Sequence, residues 1–209
     1  MLKYILLTPL VYISFFGQAQ ENESQFIRKH LVRADASIVP GYIFKDNLQN
    51  VHLNGNLEYY ADNKISIRGD ANYMMGSTGH TKDSMRLKDY FSVMLGTSFH
   101  IATNNHFDPY FILQPGIAYT SSYYDSKAGR SDESEGYKKY YTGTVTPLAS
   151  AGLGFNYYFQ RFAHLFLETR YVYGNHLSEA PSPISLQELR VTFGLGFNVF
   201  VIKEKKRPA

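Results

Sequence analysis

The run NHLSEAP, residues 175–181, holds residue types used in nucleophilic acyl chemistry. His176 and Ser178 are two apart, so an extended chain puts both on one side, and an acid, Glu188, follows on the next candidate strand. A second cluster, DSKAGRSDESEGYKK, offers Asp125, Asp132, Glu133 and Glu135, enough oxygen for a divalent cation but without the regular spacing of a calcium loop. The histidines at 30, 52, 80, 100, 106, 164 and 176 show no metal-ligand spacing. Gly152, Gly154, Gly194 and Gly196 fall inside strand patterns rather than before helices, so no phosphate cradle and no cofactor is expected. Arg68-Gly69-Asp70 would be an adhesion signal only in an exposed loop.

What must position these residues is a set of alternating segments. In KISIRGDANYMM, residues 64–75, Ile65, Ile67, Gly69, Ala71 and Tyr73 share one side, while Ser66, Arg68, Asp70 and Asn72 share the other. Arg68 and Asp70 therefore project from one face of a strand, and an adhesion loop is not expected. The same period marks eight strands, near 33–44, 50–61, 64–75, 88–102, 108–123, 141–159, 162–173 and 186–200. Most exceed ordinary globular strands and reach the length that crosses a bilayer at a tilt, about 9–11 residues.

The connections alternate in kind. Tight turns follow strands two, four and six. Long polar loops, 76–87, 124–140 and 174–185, follow strands three, five and seven. That asymmetry predicts an all-β, eight-stranded antiparallel up-and-down transmembrane barrel, with both ends of the chain on the short-turn side. The start, MLKYILLTPLVYISFFGQAQ, reads as a cleaved secretory signal peptide over residues 1–19. Residues 20–32 then form a short polar periplasmic lead, 33–200 the barrel, and 201–209 a basic periplasmic tail. With no cysteine among 209 residues, neither a disulfide nor a lipid-bearing cysteine after the signal is available. A formal net charge of +3 is too slight to imply a nucleic-acid partner.

Periodicity does not say which face is oily, because a secreted lipocalin-like carrier would show the same alternation with its apolar face inward. The polar faces favour the membrane reading. They use Ser, Gly and Asn with a few charges of both signs, and Lys is confined to strand ends, loops and the tail. Outward aromatics fall into two groups. Tyr42, Phe44, Tyr73, Phe91, Tyr119, Tyr171 and Tyr173 lie toward the long loops, and Tyr59, Phe99, Phe111, Phe155, Tyr157, Phe159 and Phe197 toward the short turns, as two interfacial belts require.

The inward set then holds Arg33, Asp35, Glu58, Arg68, Asp70, Glu168, Arg170, Glu188 and Arg190, with His52, His100 and His164. Five acids against four arginines predict a hydrogen-bonded charge network that plugs the lumen, since eight strands enclose little more than their own side chains. The alternative is a small or gated pore lined by the same charges.

With these features the chain resembles the small outer-membrane β-barrel proteins of Gram-negative bacteria, the OmpA/OmpX-like, porin-like group. The last strand carries the sharpest likeness: Thr192, then Gly194, then the outward pair Phe197 and Val199, looks like that group's insertion signal. The resemblance implies an integral, multi-pass cell-envelope protein surrounded by outer-membrane lipid and lipopolysaccharide and inserted by the barrel-assembly machinery. No cell-wall-binding domain is expected after the barrel, and no extracellular ligand is indicated. The chain continues past Phe200 with VIKEKKRPA, where many members stop. Within the same broad class, the order His176, Ser178, Glu188 resembles lipid A deacylases of the PagL type. In these, His would activate Ser for attack on an ester and the acid would orient His. Glu179 stands where that family has Asn, and Glu188 points inward by parity. The expected role is therefore structural or surface-interacting rather than enzymatic.

Overall fold

A computed structural model of the chain describes residues 26–101, 106–128, 136–177 and 180–201. The expected signal peptide, residues 202–209, and Asp132, Glu133, Glu135, Ser178 and Glu179 lie outside the described residues.

Eight strands run in chain order: β1 (Leu31–Ile43), β2 (Leu48–Tyr60), β3 (Ile65–Thr78), β4 (Met85–His100), β5 (Phe107–Asp125), β6 (Lys138–Gln160), β7 (Ala163–Tyr173) and β8 (Glu188–Val201). Each pairs antiparallel with the next, and β8 returns to β1 through Leu31↔Val201, Ser37↔Gly194 and Ile43↔Glu188, closing the barrel. Closure leaves no strand edge around the belt, which an open sheet in hydrocarbon would not tolerate. The first and last strands run slightly beyond the expected 33–200, and the two meet at Leu31 and Val201.

Two prolines mark irregular seams. Pro40 pairs with Val51 on its β2 side, while the β1–β8 ladder skips Val39 and Pro40. Pro115 pairs with Ala149, while the β4–β5 ladder skips from Met94↔Gly116 to Thr97↔Leu113. Proline has no N–H to give to a ladder, so one of its two neighbours loses a bond.

The pleat sorts the side chains. Outward positions in mid-strand are apolar and exposed: Leu57, Leu95, Ile117, Leu153 and Phe193 are each 57–68% accessible. Inward positions between them are buried and mostly polar. A soluble monomer rarely shows a continuous apolar surface of this kind. The lipocalin-like arrangement, with the apolar face inward, is therefore not the one this chain adopts.

Three expectations need correction. The lead is not simply a polar approach to β1: Ile27 is buried with Leu31, Tyr60 and Tyr158, and Phe26 stacks on Tyr158 at a centroid distance of 5.4 Å, so this segment stoppers the short-turn end. The inward face is not polar throughout either. Near the long loops it becomes an apolar cluster that includes Ile43, Leu48, Met74, Met85, Leu87 and Met94. Finally, the β7–β8 connection is not a solvated loop over its whole length. Ile184 and Leu186 fold back into that cluster, and Asn175 and Ser185 form a bridge beneath the turn.

Candidate functional site

The barrel interior is built in tiers, each made of inward-facing residues from neighbouring and opposite strands. At the short-turn end Arg33 on β1 is ion-paired with Glu58 on β2, its register partner, and donates from Nη1 to the Tyr158 hydroxyl at 2.8 Å. Glu58 also accepts from Ser66, and its Oε1 lies 3.2 Å from His100 Nε2. The other ring nitrogen of His100 is 2.9 Å from Asp108 Oδ2, which also accepts from Asn156 at 2.9 Å. His164 Nε2 stands 3.3 Å from Asp35. Asp108 is absent from the predicted set, although it shares parity with the inward Tyr110, Ile112 and Gln114. It escapes a strand-pattern reading because it opens its segment beside Pro109.

The middle tier is a closed ring of alternating charge. Arg68 lies 2.9 Å from Asp70 and 2.8 Å from Glu168, and Arg170 lies 2.6 Å from Glu168 and 3.4 Å from Asp70. Two members stand on β3 and two on β7, four strands apart in an eight-stranded barrel, so the ring straddles the lumen. Gln114 bonds both halves, donating to Asp70 and accepting from Arg170 Nη1 at 2.6 Å, while the Tyr110 hydroxyl donates to Glu168 at 2.8 Å. All four charged members are nearly inaccessible. Isolated ions there would cost several kcal/mol each to desolvate, whereas a neutral, fully paired ring recovers most of that cost.

Above the ring, Glu188 accepts from Arg190 Nε at 2.7 Å and Asn50 Nδ2 at 2.8 Å, and lies 3.0 Å from His52 Nε2. The Arg190 guanidinium sits over the Tyr90 ring at 5.2 Å. Between ring and upper tier lies a mostly polar void of about 10 Å³ lined by Asn54, Asn72, Glu168, Arg170, Arg190 and Thr192, with Val39 as its one apolar wall. That is on the order of one water, far below what a hydrated ion needs. The apolar cluster follows, then the folded-in β7–β8 segment.

Of the acyl-transfer candidates, the two described residues, His176 and Glu188, have separate partners. Ser178 lies outside the described residues. His176 is buried at the long-loop mouth, its ring held by Thr120 Oγ1 at 2.6 Å and Ser122 Oγ at 3.1 Å, and burial lowers its pKa. Glu188 is engaged one tier below, with Arg190, His52 and Asn50, and does not orient His176. Of the acidic loop, Asp125 is described, and it pairs with Arg86 at 3.6 Å. Arg68 and Asp70, the charged residues of the Arg-Gly-Asp run, are buried in β3. In β8 Thr192 is buried and inward and Phe197 is exposed and outward, with Gly194 on the inward parity against Phe166. The Val199 side chain lies outside the described residues.

A shallow apolar pocket lies outside the long-loop end, lined by Pro147, Leu148, Tyr173 and Leu177 among others. It lies where β7 stops: β6–β7 pairing begins at Ala149↔Tyr173, while β6 continues upward to Lys138 beside β5 alone.

No family model matches the chain, and no curated protein matches it. Solved structures do. The outer membrane protein OprG from Pseudomonas aeruginosa aligns with a TM-score of 0.57 at 11% identity, covering 82% of this chain and 96% of that one. Neisserial surface protein A (NspA) aligns with a TM-score of 0.55 at 14% identity, covering 80% and 96%. The N-terminal β-barrel domain of Pseudomonas aeruginosa OprF aligns with a TM-score of 0.50 at 14% identity, covering 81% and 97%. At these identities what is shared is the fold, a closed eight-stranded barrel of the outer-membrane type.

Proposed function

We propose that this chain, which has the fold of the small outer-membrane β-barrels, is an integral outer-membrane protein with a structural or surface-interaction role, its lumen sealed rather than conducting. The observation that carries the sealed lumen is the Arg68–Asp70–Arg170–Glu168 ring, which spans the bore and is satisfied within itself. The stopper of Phe26 and Ile27 at one end and the folded-in Ile184 and Leu186 at the other support the same reading. Each would have to move before ions could pass. The surfaces left for interaction are those of the long-loop end, including the β5–β6 extension with exposed Tyr137 and Tyr140.

Planar-bilayer recording of the mature chain tests the proposal. A silent bilayer at moderate voltage is the expected result, and stable unitary steps would establish the pore instead. The non-enzymatic reading is supported by the engagement of Glu188 away from His176. It is checked by expressing the chain and its Ser178→Ala variant and reading lipid A acyl number. A Ser178-dependent loss of an acyl chain would restore the esterase.

A further inference from the structure

We propose that the short-turn end of the barrel is a docking surface for the phosphate headgroups of anionic phospholipids in the adjoining leaflet. This rests on the reading that the barrel spans a bilayer. Among the described residues, this end presents the exposed cations Arg28, Lys29, Lys64 and Arg161 against one acid, Asp62. Asp62 is occupied by its own turn, accepting from Asn63 N at 2.6 Å. None of the four cations has an acidic partner among the described residues, whereas at the opposite end exposed lysines such as Lys82 and Lys127 share the rim with four acids, Asp46, Asp83, Asp89 and Asp125, the last two ion-paired with Lys88 and Arg86.

The arrangement is fixed by the backbone. Lys29 N donates to Asn63 Oδ1 at 3.0 Å and His30 N to the Tyr60 carbonyl at 2.8 Å, while the His30 ring meets the Tyr59 hydroxyl at 2.6 Å. The lead is thereby pinned to the β2–β3 turn, with the Lys29 backbone held against Asn63, the chain neighbour of Lys64. Arg161 adds a further cation at the β6–β7 turn.

Directly above this rim, Tyr59, Phe99, Phe107, Tyr157, Phe162 and Phe197 form an exposed aromatic girdle. Such a girdle marks the headgroup level. The unpaired cations therefore lie in the plane of lipid phosphates, within a Debye length of them, where a juxtamembrane basic cluster attracts anionic lipid. A soluble anion would find the same charges but not the same level, and this placement favours the lipid.

The test uses the mature chain in nanodiscs of phosphatidylethanolamine with a minority of phosphatidylglycerol, and counts lipids retained on release by native mass spectrometry. The wild type is expected to retain phosphatidylglycerol preferentially. A quadruple variant, Arg28→Gln, Lys29→Gln, Lys64→Gln and Arg161→Gln, is expected to lose that preference by on the order of tenfold. A control at the far end, Lys82→Gln with Lys127→Gln, is expected to keep it. Undiminished preference in the quadruple variant, or equal loss in the control, overturns the proposal. Failure of the wild type to stay in the nanodisc is a different result, which overturns the bilayer-spanning reading itself.

Discussion

Arg68 and Glu168 lie on strands four apart in the barrel, and their side chains meet across the lumen at 2.8 Å. Together with Asp70 and Arg170 they make a neutral ring in which each charge has two opposite partners. Removing one member leaves a buried ion with half its compensation. Glu168→Ala is therefore expected to destabilise the barrel by about 3–5 kcal/mol. The paired exchange Arg68→Met with Glu168→Leu should cost distinctly less than the two single changes summed. The chain has no tryptophan, so reversible urea unfolding is best followed by circular dichroism. Simple additivity of the two changes would count against a coupled ring.

The long-loop mouth is expected to loosen in acid. His176 is buried at that mouth between Thr120 and Ser122, and burial lowers its pKa from 6.5. Its folded form therefore binds fewer protons than its released form as pH falls through and below about 6.5. Closure is most stable above that value and weakens as pH drops through it. Hydrogen exchange of residues 174–187 should rise between pH 7.5 and pH 5, and His176→Gln should flatten the dependence. An equal rise in the variant would remove His176 as its source.

Outward mid-strand positions should reject charge. Leu95 lies midway along β4 between the belt residues Phe91 and Phe99 and is 61% accessible. Leu95→Arg is expected to cost about 2–4 kcal/mol of stability in a bilayer. Leu177→Arg, in the exposed part of the β7–β8 connection, should change little. Comparable small effects at both sites would argue that the belt does not face hydrocarbon.

Two glycines should separate close packing from open wall. A Cβ on Gly96 would overlap the Leu113 carbonyl oxygen and crowd Gln114 Cα, and the backbone there cannot swing aside as a side chain end can. A Cβ on Gly55 meets nothing within 4 Å. Gly96→Ala is expected to destabilise by about 1–3 kcal/mol, and Gly55→Ala to stay near neutral or better. Heat-modifiable gel mobility ranks the two, and the reverse order would refute the tight β4–β5 approach.

The sequence carried the strands plainly, because alternation over segments such as Ile65–Tyr73 leaves little choice of element or face. Inward charge was legible for the same reason, from parity at Arg68, Asp70, Glu168 and Arg170. Which inward residue meets which was not. Parity gives a face, while the contact of β3 with β7 depends on closure and on the small bore. Met85 and Leu87 alternate like strand residues, but they sit in a segment rich in polar loop signals, so their place in an interior apolar cluster was hidden. Ile184 and Leu186 were hidden more deeply, since a Pro-broken polar segment gives no local sign that it folds back over a barrel mouth. Phe26 and Ile27 are the one local sign of the stopper, two adjacent large apolar residues in an otherwise polar lead.

The central claim is that the apolar stripe of each strand faces acyl chains while the polar stripe is sealed within. The chain has no native cysteine, so single cysteines along β4 carry a fluorophore without background. Brominated lipid should quench labels at Val93 and Leu95, while cysteines at Ser92 and Met94 should resist both labelling from water and quenching by lipid in the folded protein. Uniform quenching along the strand, or quenching at Ser92 and Met94 in place of Val93 and Leu95, would contradict the account.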